Sequence, residues 1–296
     1  IIFPTGFQVN TGVIPAVTDK NDIILIDELN HASIIDGCRM SFARRIKYKH
    51  SDMDDLCQKL ESFKHKKDIN KLIITDGIFS MDGDIAKLDQ ITWLAKKYDA
   101  MVMVDCAHSL GVIGEHGAGT ASHYNITNDV DLIGGTFSKS LASVGGFVAG
   151  SKEIIEYLCH ASRSYMFSAS LPPASTAAAL AALRIIKSSD ELRLKLWDNT
   201  RYAISIMKEA GLDIGNAETP IIPVYIRNSL TTFKVAKELL QAGIYVNPVV
   251  APGVKETDAL LRFSLTAQHT KEQINFAVEK ISEMVKKHCK TPSVCI

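Results

Sequence analysis

Apolar runs without polar alternation recur along the chain at residues 22–27, 71–79 and 100–104. Such runs predict strands buried on both faces, the kind a parallel sheet requires. Residues 131–135 form a shorter, glycine-rich strand. Helical spacing follows each strand. Ser51 or Asp52 offers an N-cap for one helix, and residues 88–98 place Leu88, Ile91, Leu94 and Ala95 on one face. The opening residues read as the end of a strand running into a helix, with Gly6 and Phe7 at the junction. Repeated strand–helix alternation predicts an α/β domain, its mostly parallel sheet sandwiched by helices. Residues 147–150 are expected to return antiparallel. Residues 162–173 read as a further strand and loop, leading into an alanine-rich helix at 175–187. Near Asp190 the texture changes. A long charged amphipathic helix, 191–211, precedes short strands at 221–226, 244–246 and 261–265 and a last helix at 271–287. This predicts a large domain over 1–188 and a smaller C-terminal α+β domain over 189–296.

Composition narrows the class. The 296 residues are 46% hydrophobic and 22% charged, which suits a well-packed core. Lys+Arg and Asp+Glu both number 33, so no net charge points to nucleic acid or an anionic membrane. No stretch reaches the roughly 18 consecutive apolar residues of a membrane span. Six separated cysteines, with no Cys-x-x-Cys, suit reduced thiols in a cytoplasm better than a disulfide framework or a zinc site.

Lys139 stands out. It follows the apolar run in a turn of small and hydroxyl residues, just before the Gly145–Gly146 pair. A partly buried ammonium loses its charge readily and becomes a nucleophilic amine, as a Schiff base with an aldehyde cofactor requires. Other polar groups are expected at strand ends: His31, Ser80 and the Asp105/His108 pair. Open α/β sheets bind ligands at the carboxyl ends of their strands. A pyridoxal phosphate (PLP) site needs a carboxylate for the pyridinium nitrogen, a flat group against the ring, a donor to the phenolic oxygen, and N–H and hydroxyl groups for the phosphate. Asp105, His31 and His108 suit the first three, and Gly6, Phe7 and Thr136 the last. Rival chemistries lack their signatures. Ser138 precedes Lys139, whereas a P-loop needs Gly-Lys-Ser/Thr, and neither Gly-x-Gly-x-x-Gly nor Gly-x-Ser-x-Gly occurs. No second ligand pair joins Asp105, Cys106 and His108 at zinc-site spacing, so no metal is expected.

The motifs Asp-x-x-x-His-Ala-Ser (27–33), Thr-Asp-Gly-Ile-Phe-Ser-Met-Asp-Gly (75–83), Asp-x-Ala-His-Ser-x-Gly (105–111) and Gly-Thr-Phe-Ser-Lys-Ser (135–140) resemble those of the α-oxoamine synthases. So do Phe-Ser-Ala-Ser-Leu-Pro-Pro (167–173) and Leu-Arg-Phe-Ser-Leu-Thr-Ala-x-His-Thr (261–270). The resemblance covers essentially the whole chain. It implies a fold-type I PLP enzyme, an acyltransferase that condenses an amino acid with an acyl-CoA and releases CoA and usually CO2. It further implies that Lys139 carries the Schiff base, Asp105 pairs with the ring nitrogen, His108 contacts the phenolic oxygen and His31 stacks on the ring. Ser80 would lie near the ring, with Gly6, Phe7 and Thr136 on the phosphate. Ser168 and Ala169 would reach the phosphate from the neighbouring subunit of a homodimer, and Arg262 would bind the substrate carboxylate. Within the family, residues 75–83 look closest to the enzyme making 2-amino-3-ketobutyrate from glycine, whereas residues 135–146 lean towards members using longer acyl chains. The amino acid is expected to be glycine or alanine, as in enzymes making 2-amino-3-ketobutyrate or 8-amino-7-oxononanoate. The alternatives are a serine palmitoyltransferase-like long-chain enzyme, or a truncated, inactive scaffold subunit. Two departures stand out. The family's chains extend further on the N-terminal side, so the sequence is expected to be a piece of a longer protein. Cys106 stands where the family usually has an acidic residue.

Overall fold

A computed structural model describes residues 1–66 and 69–289. They form two compact units: Ile1–Phe79 with Ile85–Asp190, and Ser80–Asp84 with Glu191 onward. A single division at 188/189 does not anticipate the transfer of Ser80–Asp84. Three contacts attach that turn to the second unit. The Tyr225 hydroxyl donates to Asp82 Oδ1 at 2.7 Å, the Glu218 N–H to the Gly83 carbonyl at 3.2 Å, and Arg262 Nε to the Ser80 carbonyl at 2.6 Å. Gly83 has φ +72°, and a Cβ there would lie 1.9 Å from the Ile221 carbonyl oxygen. Only glycine allows that approach.

The first unit contains strands β1 (Ile2–Phe3), β2 (Ile23–Asp27), β3 (Arg44–Tyr48), β4 (Lys71–Asp76), β5 (Met101–Asp105), β6 (Leu132–Thr136) and β7 (Gly146–Gly150). Its helices are α1 (Gly6–Val13), α2 (Ala32–Met40), α3 (Met53–Glu61), α4 (Leu88–Tyr98), α5 (Thr120–His123), α6 (Lys152–Ala161), α7 (Arg163–Met166) and α8 (Pro173–Ser188). The seven strands form one sheet in the order β1-β7-β6-β5-β4-β2-β3. The run from β6 to β3 is parallel, and β7 returns antiparallel with β1 beyond it. Successive side chains of a strand point to opposite faces. Ile24, Ile26, Ile74, Met103 and Leu132 accordingly pack with Val9 and Val13 of α1 and Ile34 of α2. Ile23, Leu25, Ile73, Val102 and Val104 pack instead with Leu56 and Leu60 of α3 and Leu88, Ile91 and Leu94 of α4. Both faces of the sheet are therefore covered, which explains the unalternating strands.

Strand β3 is absent from the sequence reading. Its residues Arg-Arg-Ile-Lys-Tyr are largely exposed, because it is an edge strand defended by charge. The strand expected in 162–173 does not form. Its backbone bonds to itself instead: the Tyr165 and Met166 N–H groups go to the Ser162 carbonyl and that of Phe167 to Arg163, making α7. Tyr165 meets Phe3 edge-on at 5.9 Å, while Phe167 is exposed.

The second unit holds an antiparallel sheet ordered β8 (Ile221–Tyr225), β10 (Leu260–Ser264), β9 (Asn247–Val249). Helices α9 (Glu191–Glu209), α10 (Ser229–Gln241) and α11 (Lys271–His288) bury Met207, Val235, Leu239, Ile274 and Ile281 with Ile222, Val224 and Leu261 of the sheet. The middle strand lies three residues later than 244–246. Thr270 and Gln273 start α11 with a reciprocal capping box. Among the described residues no helix is long and apolar enough to cross a membrane. Cys38, Cys57, Cys106, Cys159 and Cys289 are unbridged, and Cys295 lies outside the described residues. Ile73 is fully buried at the centre of the sheet. Truncation of Ile73 to Ala should cost about 2–5 kcal/mol of stability, read as a lowered midpoint in chemical denaturation.

Candidate active site

Strands β2, β4, β5 and β6 end on Asp27, Asp76, Asp105 and Thr136, side by side at the sheet's carboxyl edge. A cavity of about 400 Å³ opens there. Gly6, Phe7, His31, Asp105, His108, Thr136 and Lys139 all line it, together with Thr5, Ser33, Asp76, Ser138 and Gly145. Seven of the expected site residues therefore meet in one hollow.

One wall is built for an anion. Thr5 caps α1, its side chain accepting from the Gln8 N–H, so Gly6 and Phe7 form the first helical turn. N–H groups of a first turn have no partner within the helix and favour negative charge. Thr136 faces that turn. A Cβ on Gly6 would lie 2.6 Å from the Thr136 Cβ, so only glycine leaves the backbone accessible beside the hydroxyl. Thr136 Oγ1 and Ser138 Oγ are 2.9 Å apart, and the Ser138 N–H reaches Thr136 Oγ1 at 3.3 Å.

Acidic groups occupy the floor. Asp105 is buried, and both its oxygens accept hydrogen bonds: Oδ2 from Asn10 Nδ2 at 2.7 Å, Oδ1 from the Ala107 N–H at 2.9 Å. Asp76 is its neighbour in the ladder. Burial, and then the Asp105 charge, push the Asp76 carboxyl well above the usual carboxylate range, against the His31 N–H and Lys139. Asp76 Oδ2 accepts that N–H at 2.8 Å. His31 is itself the N-cap of α2. Loss of hydration lowers the pKa of its ring; Asp105 opposes the shift and Lys139 adds to it.

Lys139 is exposed within this chain rather than partly buried, because its turn between β6 and β7 lifts Ser138, Lys139 and Ser140 away from the core. Ser168 and Ala169 are not among the cavity's lining residues; Ser168 Oγ accepts from Gln8 Nε2 of the same chain at 2.9 Å. Ser80 and Arg262 belong to the second unit and bind one another. Arg262 is half-buried; Nη1 donates to Ser264 Oγ at 2.7 Å, and burial lowers its pKa from the ordinary value. Sequence reasoning assigned no role to Asp76, Asn10 or Ser33. Asp76 is hidden inside the run read as 71–79; in the structure it ends its strand as Asp105 does. Ser33 closes the motif 27–33, while the signal for Asn10 lies only in the packing of α1 on α2.

The donor set fits PLP. A buried carboxylate held by two donors, a lysine, two imidazoles and a glycine-hydroxyl cradle at a helix start meet that cofactor's needs. Residues 1–281 match the family model for aminotransferase class I and II, a class of PLP enzymes. A serine palmitoyltransferase of Sphingobacterium spiritivorum is 56% identical over 286 residues, 97% of this chain and 71% of that one. An 8-amino-7-oxononanoate synthase of Thermoanaerobacter pseudethanolicus is 48% identical, over 97% of this chain and 72% of its own. A solved serine palmitoyltransferase from S. paucimobilis, with a bound PLP–myriocin aldimine, superposes with a TM-score of 0.93 at 34% identity, covering 97% of this chain and 72% of that one. The chain belongs to the α-oxoamine synthase family. It is a PLP-dependent acyltransferase that condenses an amino acid with an acyl-CoA.

Replacing Gly6 by Ala should close the anion cradle. PLP affinity, measured by absorbance titration, should fall about tenfold or more, the equivalent of ~1.4 kcal/mol.

Proposed function

We propose that the amino acid is serine and the acyl donor a long-chain acyl-CoA of the palmitoyl class. One observation carries this reading. Three serine palmitoyltransferases share 56%, 51% and 51% identity with the chain, against 46–49% for the 8-amino-7-oxononanoate synthases. The solved structures support the same order, with TM-scores of 0.92–0.93 for several serine palmitoyltransferases and 0.83 for an 8-amino-7-oxononanoate synthase. This reverses the expectation of glycine or alanine drawn from the motifs. Four of those motifs reach the cavity, at His31, Asp76, Asp105 and Lys139, and answer to the cofactor that every member needs.

PLP, when bound, supplies an electron sink for the pair left on the amino acid's α-carbon. The protein's own groups do the rest. The Lys139 amine takes the α-proton and later returns one. The Asp105 carboxylate, fixed by Asn10 and Ala107, holds a proton at the ring nitrogen. His108 would donate to the phenolic oxygen, and His31 would cover the ring face. The α1 N–H groups of Gly6 and Phe7, with the Thr136 hydroxyl, hold the phosphate. Arg262 has its Nε and Nη1 committed, and Nη2 has no hydrogen-bond partner among the described residues. That nitrogen is suited to a carboxylate. Ser80 lies against Arg262 and sets its direction through its carbonyl. Ser168 and Ala169 serve a second copy's phosphate site in a homodimer.

The test is an absorbance titration of the PLP-loaded protein with serine, glycine and alanine, followed by mass spectrometry of products from thioesters of increasing length. Serine should perturb the near-visible band, and a long-chain thioester should give the ketone product with release of CoA. Turnover of alanine or glycine in preference to serine would overturn the reading. Lys139→Ala should lose the native band and at least roughly 10²-fold in kcat.

A further inference from the structure

Four hydrogen bonds link His31 to Asp105 through Asn10 and Ser33. Asn10 Nδ2 donates to Asp105 Oδ2 at 2.7 Å and to Ser33 Oγ at 2.8 Å. Ser33 Oγ lies 2.7 Å from His31 Nδ1. The Ser33 backbone N–H also points at Nδ1, at 3.2 Å. Asn10 is 1% exposed and Ser33 2%, so water does not stand in for either partner.

The direction of every bond follows from the chemistry. A carboxylate oxygen only accepts, so the Asn10 amide must turn its NH2 towards Asp105. Its second hydrogen then goes to Ser33, whose oxygen becomes an acceptor there. The hydroxyl hydrogen of Ser33 is left for His31 Nδ1. A backbone N–H can only donate, and it too is aimed at Nδ1. Two donors converge on one ring nitrogen, which therefore carries no proton. In a neutral imidazole the proton must then sit on Nε2.

We infer that Asn10 and Ser33 are positioning residues that lock His31 in the Nε2–H tautomer, with the direction of the relay dictated by the Asp105 carboxylate. Nδ1 is thereby removed from the chemistry, and Nε2 is the ring's donor. The lowered pKa of His31 supports a neutral ring at neutral pH. Its backbone is pinned as well. Asp76 takes its N–H, while Asn30 Nδ2 donates to the Ile74 carbonyl at 2.9 Å and Asn30 Oδ1 accepts from the Asp76 N–H at 3.1 Å. The ring is thus fixed in place by β4 and in tautomer by α1.

The experiment is nitrogen-15 NMR of histidine-labelled protein, loaded with PLP and free of substrate. Wild-type His31 should show a protonated Nε2 and an unprotonated Nδ1. Ser33→Thr, which keeps the hydroxyl, should show the same. Ser33→Ala should populate the second tautomer and lower kcat roughly threefold to tenfold, the scale of one hydrogen bond. In Asn10→Asp, residue 10 accepts where it had donated. The Ser33 hydroxyl should turn to it, and the Nδ1–H share should rise. A proton on Nδ1 in the wild type would sink the inference outright, even if no variant folds. So would wild-type ring signals in both Ser33→Ala and Asn10→Asp. The kcat arm rests on the pocket being the reaction site. The NMR arm depends on neither that assignment nor the amino acid used, so its failure and a failure of the serine reading are separable.

Discussion

Two carboxyl groups end neighbouring strands of one buried sheet edge, and the pocket is arranged around that fact. Asp76 and Asp105 face each other in the β4–β5 ladder, each less than 10% exposed. Two like charges cannot both be held there cheaply. The protein separates their fates by supplying different partners. Asp105 receives a side-chain amide and a backbone N–H, one on each oxygen. Asp76 receives the His31 N–H and is driven towards its neutral form, chiefly by burial. Asp105, with a donor on each oxygen, is the floor group suited to a cationic ring nitrogen.

The sheet makes this arrangement possible. Its strands share the same polarity from β6 to β3, so their last residues gather on one edge. That much could be read from the chain. The runs at 22–27 and 100–104 placed Asp27 and Asp105 at strand ends, the turn after β6 placed Lys139, and Asp76 stood inside the run read as 71–79. What stayed hidden depended on neighbours. Strand β3 reads as charged coil until it has an edge to occupy. Residues 162–173 carry strand-like aromatics, yet no free sheet edge is offered to them, so they curl into a helical turn. Ser80–Asp84 looks like an ordinary turn, and only its bonds to Tyr225, Glu218 and Arg262 assign it to the second unit. Asn10 lies on α1, two elements before Ser33 and seven before Asp105, and no local pattern predicts its bond to Asp105.

Substrate preference was the least legible feature, for an energetic reason. Motif residues answer to the cofactor, which is constant across the family. Acyl length answers to apolar walls, where each methylene changes binding by only ~0.8 kcal/mol. A small number of substitutions spread along the chain can therefore move preference without touching a motif. Overall identity integrates such scattered changes, and it is higher to the serine enzymes where the motifs were divided.

His31 shows how fold and chemistry share one atom. As N-cap of α2 it must offer an acceptor to the Ser33 N–H, and the acceptor is Nδ1. A cap normally uses an oxygen, which has no proton to lose or gain near neutrality. A histidine cap works only while Nδ1 is bare. Protonation would set a donor against two donors, so the cap is present above the ring's depressed pKa and is lost as pH falls through it. The helix start therefore favours the same neutral ring that the pocket uses. Secondary structure, buried charge and tautomer are held by one set of hydrogen bonds, and a change at Asn10 or Ser33 acts on all three.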